Sequence, residues 1–141
     1  MLISKYEDIQ IGQTANLTHT ITAEDVDLFG KLSGDYNPVH FDDDWAKKTI
    51  FGERIAHGLL TGAYISTLLA NKLPGPGTVY LKQEFKFKLP VKIGDTIKAE
   101  VEVKELIDEK KRIILKTTCT NQNQETVLDG QATVMIMKLK S

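Results

Sequence analysis

The pattern of hydrophobic and polar positions changes period once, near the middle of the chain. Up to Lys72 the apolar residues recur mainly at helical spacing, and from Val79 onward they alternate with polar ones. Residues 7–20 read as an entry segment and a first strand, with a turn at Ile11-Gly12-Gln13. Thr22 is placed as a helix N-cap, with Glu24 and Asp25 in the first turn, where negative charge favours the helix dipole. Val26, Phe29 and Leu32 then form an apolar stripe, and Gly34 closes the helix. Asp42 caps a short helix around Asp43 to Lys48. Ile55 to Lys72 reads as the one long helix, apolar on nearly every side, ending before Pro74-Gly75-Pro76-Gly77.

Four strands follow. Val79 to Leu89 is stopped by Pro90, and Thr96 to Val103 alternates apolar and charged residues, as a sheet with one wet face requires. Ile113 to Asn121 and Thr126 to Leu139 continue the alternation, with turns at Glu109-Lys110-Lys111 and Asn121-Gln122-Asn123-Gln124. A buried helix followed by long antiparallel strands predicts an α+β fold with the sheet curled around that helix. No repeat, low-complexity tract or Ser/Gly linker divides the chain, so one domain over residues 1–141 is expected.

Composition narrows the function classes. With 41% hydrophobic and 26% charged residues the chain can bury a core, and its formal net charge of −1 comes without a basic block. Neither nucleic acid nor an anionic membrane is therefore an expected partner. The N-terminus lacks a basic region followed by a long apolar core, so no signal peptide is expected. The most apolar window, Ile55 to Leu73, carries His57, Thr61, Ser66, Thr67, Asn71 and Lys72, too many polar groups for a membrane span. The lone Cys119 excludes an internal disulfide, which makes a reducing cytoplasm the expected compartment, and it reads as a small strand residue.

Candidate chemistry concentrates in Ser33-Gly34-Asp35-Tyr36-Asn37-Pro38-Val39-His40. Asp and His are the usual groups for moving protons near neutral pH. Asn37, ahead of a proline, is pushed out of helical geometry, so the segment reads as a shaped loop whose ends converge. An isolated Asp-x-x-x-x-His is more often a helix terminator beside a structural histidine, and the intervening turn narrows those odds. His57-Gly58 opens the long apolar run. Backbone N–H groups at a helix start lack intrahelical partners, and one such donor is worth about 3–4 kcal/mol to a developing oxyanion. Gly58 would let a carbonyl approach closely, or else merely let the helix pack tightly. Ser66, eight residues on, falls within about one fifth of a turn of the same face. It could bond Asp35 or His40 or line a pocket, or simply bond back to its own helix. Asp42-Asp43-Asp44 lacks the alternating ladder of a calcium loop and reads as helix capping, and His19 reads as structural, so no metal site is expected.

The run Lys31 to Asp42, with Phe51-Gly52-Glu53-Arg54-Ile55-Ala56-His57-Gly58 and Phe85 to Asp95, closely resembles the MaoC-like (R)-specific enoyl-CoA hydratases. The resemblance covers nearly the whole chain, from about residue 7 to the end. It implies a hot-dog fold, a long antiparallel sheet wrapped round a central helix, and homodimers whose sheets join edge to edge near the active sites. It also implies reversible addition of water to a trans-2-enoyl thioester, giving the (R)-3-hydroxyacyl product. Asp35 and His40 then match the catalytic pair, Gly58 the thioester-carbonyl donor, and Ser66 a serine placed close to the pair. Asn37, His57, Ile65 and Leu69 are expected in the substrate pocket, the last two, with Thr133, setting acyl length. The family needs no metal or redox cofactor, since coenzyme A arrives with the acyl-CoA substrate, and its phosphates are expected to meet lysines or Arg54. A (3R)-hydroxyacyl-carrier-protein dehydratase is the alternative reading, together with an acyl-CoA thioesterase and a non-catalytic acyl-CoA-binding hot-dog subunit.

Overall fold

The computed structural model describes residues 2–140. After a 3₁₀ turn at Tyr6–Asp8, strand β1 (Thr14–Thr20) leads into helix α1 (Ala23–Ser33). Thr22 and Asp25 form a reciprocal capping box at its start, so two orphan donors are satisfied before the first turn closes. At its end Gly34 takes the left-handed conformation, φ 78°, that a side chain would disfavour. Val26 is fully buried, but Leu32 is 88% exposed, so the expected stripe fails at its last member. Each step of three residues falls about 60° short of a full turn, and two steps swing Leu32 about 120° off the face of Val26. Gly30 lies on the inner face instead and packs against the Phe41 ring.

Two short helices follow, α2 (Pro38–Phe41) and α3 (Asp43–Lys47). Asn37 is non-helical, as its proline neighbour demands, yet Pro38 itself starts a turn of helix rather than continuing a loop. The Asp42 carboxylate caps α3 by accepting from the Trp45 N–H at 2.9 Å. The long helix α4 spans Gly58–Asn71 and begins three residues later than the apolar run suggests. Ile55 is held in a bridge to Lys92, and the Ala56 N–H donates to the Val91 carbonyl at 2.7 Å, so those residues belong to an extended segment. That late start puts His57 at the N-cap and Gly58 at the first helical position.

Strands β2 (Thr78–Phe87), β3 (Thr96–Ile107), β4 (Arg112–Thr120) and β5 (Thr126–Ile136) join β1 in one antiparallel sheet of order β1-β3-β4-β5-β2. β3 runs four residues beyond Val103, because the register shifts between Val103 and Glu105 and reverses the phase of the alternation there. The sheet curls round α4, which touches β1, β2, β3 and β4. Ile65, Leu68 and Leu69 of the helix meet Val101, Val103, Ile113, Leu115 and Val134 in one core, all essentially without solvent contact. This is the expected α+β hot-dog architecture. It leaves β1 and β2 as the sheet edges and sets the N-terminus of α4 beneath the loop that carries Asp35.

Candidate active site

The loop between α1 and α2 is built from its own hydrogen bonds. Ser33 Oγ donates to the Phe29 carbonyl at 2.6 Å and accepts from the Asp35 N–H at 3.2 Å, which fixes where the chain turns out of α1. Asp35 Oδ1 accepts from the Asn37 N–H at 3.2 Å, and Asn37 Oδ1 in turn caps the Val39 N–H. The proline-initiated turn then brings His40 inward, where it is 8% exposed. Its Nδ1–H donates to the Ile55 carbonyl at 2.7 Å. A carbonyl oxygen can only accept, so in the neutral ring Nε2 carries the lone pair. Burial holds the His40 pKa below its ordinary value, helped by His57 and Arg54 and opposed by the Ile55 bond and the Asp35 charge.

His57 is 2% exposed and faces His40 ring to ring, 3.9 Å between centroids and inclined by 28°. Its Nε2–H donates to the Asp35 carbonyl at 2.9 Å, which leaves Nδ1 buried with no partner. Next in the chain, Gly58 offers an N–H that α4 leaves unpaired. A side chain at Gly58 would meet the Phe87 ring at 2.7 Å, so glycine is what lets that ring lie against the start of the helix.

These groups converge on one cavity of about 730 Å³. Its walls are largely apolar, from Phe29, Phe51, Leu59, Phe87, Leu89 and Val127, and its polar groups include Asp35, His40, His57, Gly58 and Thr61. An apolar cavity with a few converging polar groups suits a greasy ligand with one reacting end. Asp35 is exposed at its rim, while His40 is buried within it.

Asp35, His40 and His57 also present donor atoms within 4.8 Å of one another, close enough to raise the question of a metal. The ring stack weighs against it. A metal lies in the plane of each ligating imidazole, about 2 Å from its nitrogen. Rings 3.9 Å apart and inclined by 28° share no in-plane point within that reach.

Four of the sequence-predicted residues therefore meet: Asp35, His40, His57 and Gly58. Four do not. Asn37 is exposed and spends its side chain capping α2. Ile65 and Leu69 share the Gly58 face of α4, but two and three turns along that face has run beneath the sheet, and both lie in the core. Ser66 lies about 80° round from Gly58, enough to turn it toward β2, where it lines a separate shallow depression with Leu59, Tyr80, Leu81 and Phe85. Thr133 lies outside the cavity wall as well. Arg54 is committed elsewhere, its Nε–H donating to the His40 carbonyl at 2.7 Å and its guanidinium 3.6 Å from Asp27. The sequence reading did not single out Thr61, Phe29 and Phe87 as wall residues. The alternation Phe85-x-Phe87-x-Leu89 was the available signal for one wall, whereas Thr61 lies three residues after Gly58, next to it on the helix surface.

The chain matches the family described as "MaoC like domain" over residues 7–126. It is 47% identical over 136 residues to the (R)-specific enoyl-CoA hydratase of Rhodospirillum rubrum, covering 96% of this chain and 94% of that protein. With the 3-hydroxybutyryl-CoA dehydratase of Methylorubrum extorquens it shares 46% identity over 133 residues, 94% of this chain and 84% of the relative. Among solved structures, the (R)-hydratase of A. caviae has a TM-score of 0.90 at 39% identity, covering 93% of this chain and 99% of that one. An unliganded R-hydratase from Pseudomonas aeruginosa has a TM-score of 0.89 at 43% identity, covering 99% and 93%.

Proposed function

Because the chain belongs to the MaoC-like domain family, we propose that it is an (R)-specific enoyl-CoA hydratase, adding water reversibly to a trans-2-enoyl-CoA to give the (R)-3-hydroxyacyl-CoA. The observation that carries this reading is the meeting of Asp35, His40 and the free Gly58 N–H on one apolar cavity. Hydration needs a base near C3, a proton source for C2, and a donor for the thioester oxygen as it gains enolate charge. The Asp35 carboxylate and the His40 Nε2 lone pair accept hydrogen bonds from the same water. As its oxygen bonds to C3, one O–H bond breaks and the pair takes the proton. The π electrons move onto the thioester oxygen, where the Gly58 amide donates. The enolate then collapses as the pair delivers a proton to C2, so one water is consumed and none is left over. No metal or redox cofactor is required by these steps.

A coenzyme A thioester, rather than a carrier-protein one, is favoured by the relatives named for enoyl-CoA and 3-hydroxybutyryl-CoA substrates. A homodimer through β2 completes the reading. That edge exposes Tyr80, Leu81 and Phe87, with Leu59 alongside, whereas the outward positions of β1 are Thr14, Asn16, Thr18 and Thr20. Ser66 faces the β2 side. No helix among the described residues is long and apolar enough to cross a membrane. The free, buried thiol of Cys119 fits the reducing cytoplasm proposed as its compartment.

The test is direct. Purified protein is mixed with crotonyl-CoA, loss of the conjugated enoyl absorbance is followed, and the configuration of the 3-hydroxy product is read on a chiral column. An (R) product is expected. Inactivity on short and medium enoyl-CoA, with turnover only of a carrier-protein thioester, would transfer the assignment to a dehydratase acting on that carrier.

A further inference from the structure

We propose that His57 is a positioning residue, a clamp that ties the Asp35 main chain and the His40 ring into one arrangement without itself acting on substrate. Only the kinetic part of its test rests on the hydratase reading. His57 touches both members of the pair by different means: its Nε2–H holds the Asp35 carbonyl at 2.9 Å, and its ring lies 3.9 Å from that of His40. Phe29 at 4.8 Å and Phe41 at 5.5 Å close in on the imidazole, so it has little freedom to turn away.

The unpaired nitrogen is the telling detail. A histidine kept only for packing has no reason to bury an acceptor without a partner, since that costs the full desolvation of the atom. Here Nδ1 is left bare so that Nε2–H can hold Asp35. The two carbonyl acceptors, Ile55 for His40 and Asp35 for His57, also dictate opposite tautomers. His40 carries its hydrogen on Nδ1 and His57 on Nε2.

Other charged groups around the pair are accounted for. Asp35 faces it from the loop after α1. Arg54 approaches from the segment before α4 and is held by the His40 carbonyl and Asp27. Lys88 lines the cavity from beyond the end of β2 and is held by Asp129. Among the described residues, His57 is the titratable group stacked on His40.

Two variants separate the two contacts. His57→Phe keeps a ring against His40 but loses the Asp35 clamp, so kcat is expected to fall about tenfold to a hundredfold with KM little changed. His57→Gln keeps an N–H donor for the Asp35 carbonyl but loses the ring. It is expected to recover much of that kcat, while the acid limb of kcat/KM moves to higher pH because the ring that helps hold the His40 pKa down is gone. A role in packing alone would lower stability without moving that limb. Independently of activity and of any variant, nitrogen-detected NMR of the wild-type histidine rings at neutral pH should find the hydrogen on Nδ1 of His40 and on Nε2 of His57. Wild-type kcat and pH profile in both variants would overturn the proposal, as would a hydrogen on Nδ1 of His57. Should both variants fail to fold, the ring NMR decides. A wild type inactive on enoyl-CoA removes the hydratase reading and leaves the clamp to that same measurement.

Discussion

The Nδ1–H of His40 donates to the Ile55 carbonyl at 2.7 Å, and this one bond decides which nitrogen of His40 is available for chemistry. The residue that supplies the carbonyl lies in the extended segment just before α4, bridged to Lys92. The same short segment therefore sets the start of the central helix, and with it Gly58, and the orientation of the proposed base.

A pH dependence follows from the burial of that ring. The proposed chemistry needs His40 neutral, and desolvation, its largest influence, lowers its pKa from the ordinary 6.5. kcat/KM should be level above about pH 6.5 and fall only below it. Stability follows the same window. As pH drops through 6.5 the unfolded chain takes up a proton that folded His40 still refuses, so acid favours unfolding. The His40 contribution is fully present above that pH and is lost as pH falls toward the folded value. Urea midpoints at pH 7.5 and 5.5 for wild type and His40→Gln measure it. The wild type should lose more on acidification, and an equal or smaller loss would contradict the assignment.

Removing either proposed proton carrier should cost several orders of magnitude. Asp35→Asn and His40→Gln are each expected to lower kcat by about 10³-fold, within the range of general acid–base effects. Because the two share one water, the double variant should be scarcely worse than either single one. Steady-state rates with crotonyl-CoA settle the point. Strictly multiplicative losses would mean that the groups act in separate steps.

Gly58 can be tested against the simpler view that it only permits packing. Gly58→Ala places a methyl 2.7 Å from the Phe87 ring, which must shift within the cavity wall beside the amide proposed to donate to the thioester oxygen. A fall of about 10²-fold in kcat/KM is expected. The double variant Gly58→Ala/Phe87→Ala relieves the clash, so thermal stability should recover. Activity should not, because the methyl still intrudes on the cavity at the helix start and the Phe87 wall is gone. Recovery of both together would assign Gly58 to packing alone.

Much of this site was legible because its pieces are local. A glycine-ended helix, a proline turn and a glycine at a helix start are each written in adjacent residues, and they sufficed to single out Asp35, His40, His57 and Gly58. What escaped were relationships that depend on angle and depth. Ser66 and Thr61 lie about 80° and 60° from Gly58 on opposite sides of α4, so the serine turns out toward β2 and the threonine into the cavity. Ile65 and Leu69 share the correct face but lie beyond the cavity wall, a matter of how far the sheet has closed over the helix. The true start of α4 was hidden because Ile55 and Ala56 are apolar for a different reason: they pack in an extended segment against Val91 and Lys92.

The last prediction concerns the β2 edge. Exposed apolar side chains there, Tyr80 at 40%, Leu81 at 45% and Phe87 at 53%, sit beside Leu59 at 62%, and such a seam beside an open edge favours pairing with a second copy. β1, the other edge, turns threonine and asparagine outward and offers no comparable surface. Sedimentation should therefore find wild-type dimers, Tyr80→Lys/Leu81→Lys should give folded monomers, and Thr18→Lys on β1 should stay dimeric. Ser66→Ala is expected to fold normally and lower kcat only mildly, since Ser66 lies on the face that a partner would cover rather than in the cavity of its own chain. Dimers that survive charge on β2 but not on β1 would move the interface to the opposite edge. A large stability loss in Ser66→Ala would make that serine a packing residue of its own subunit.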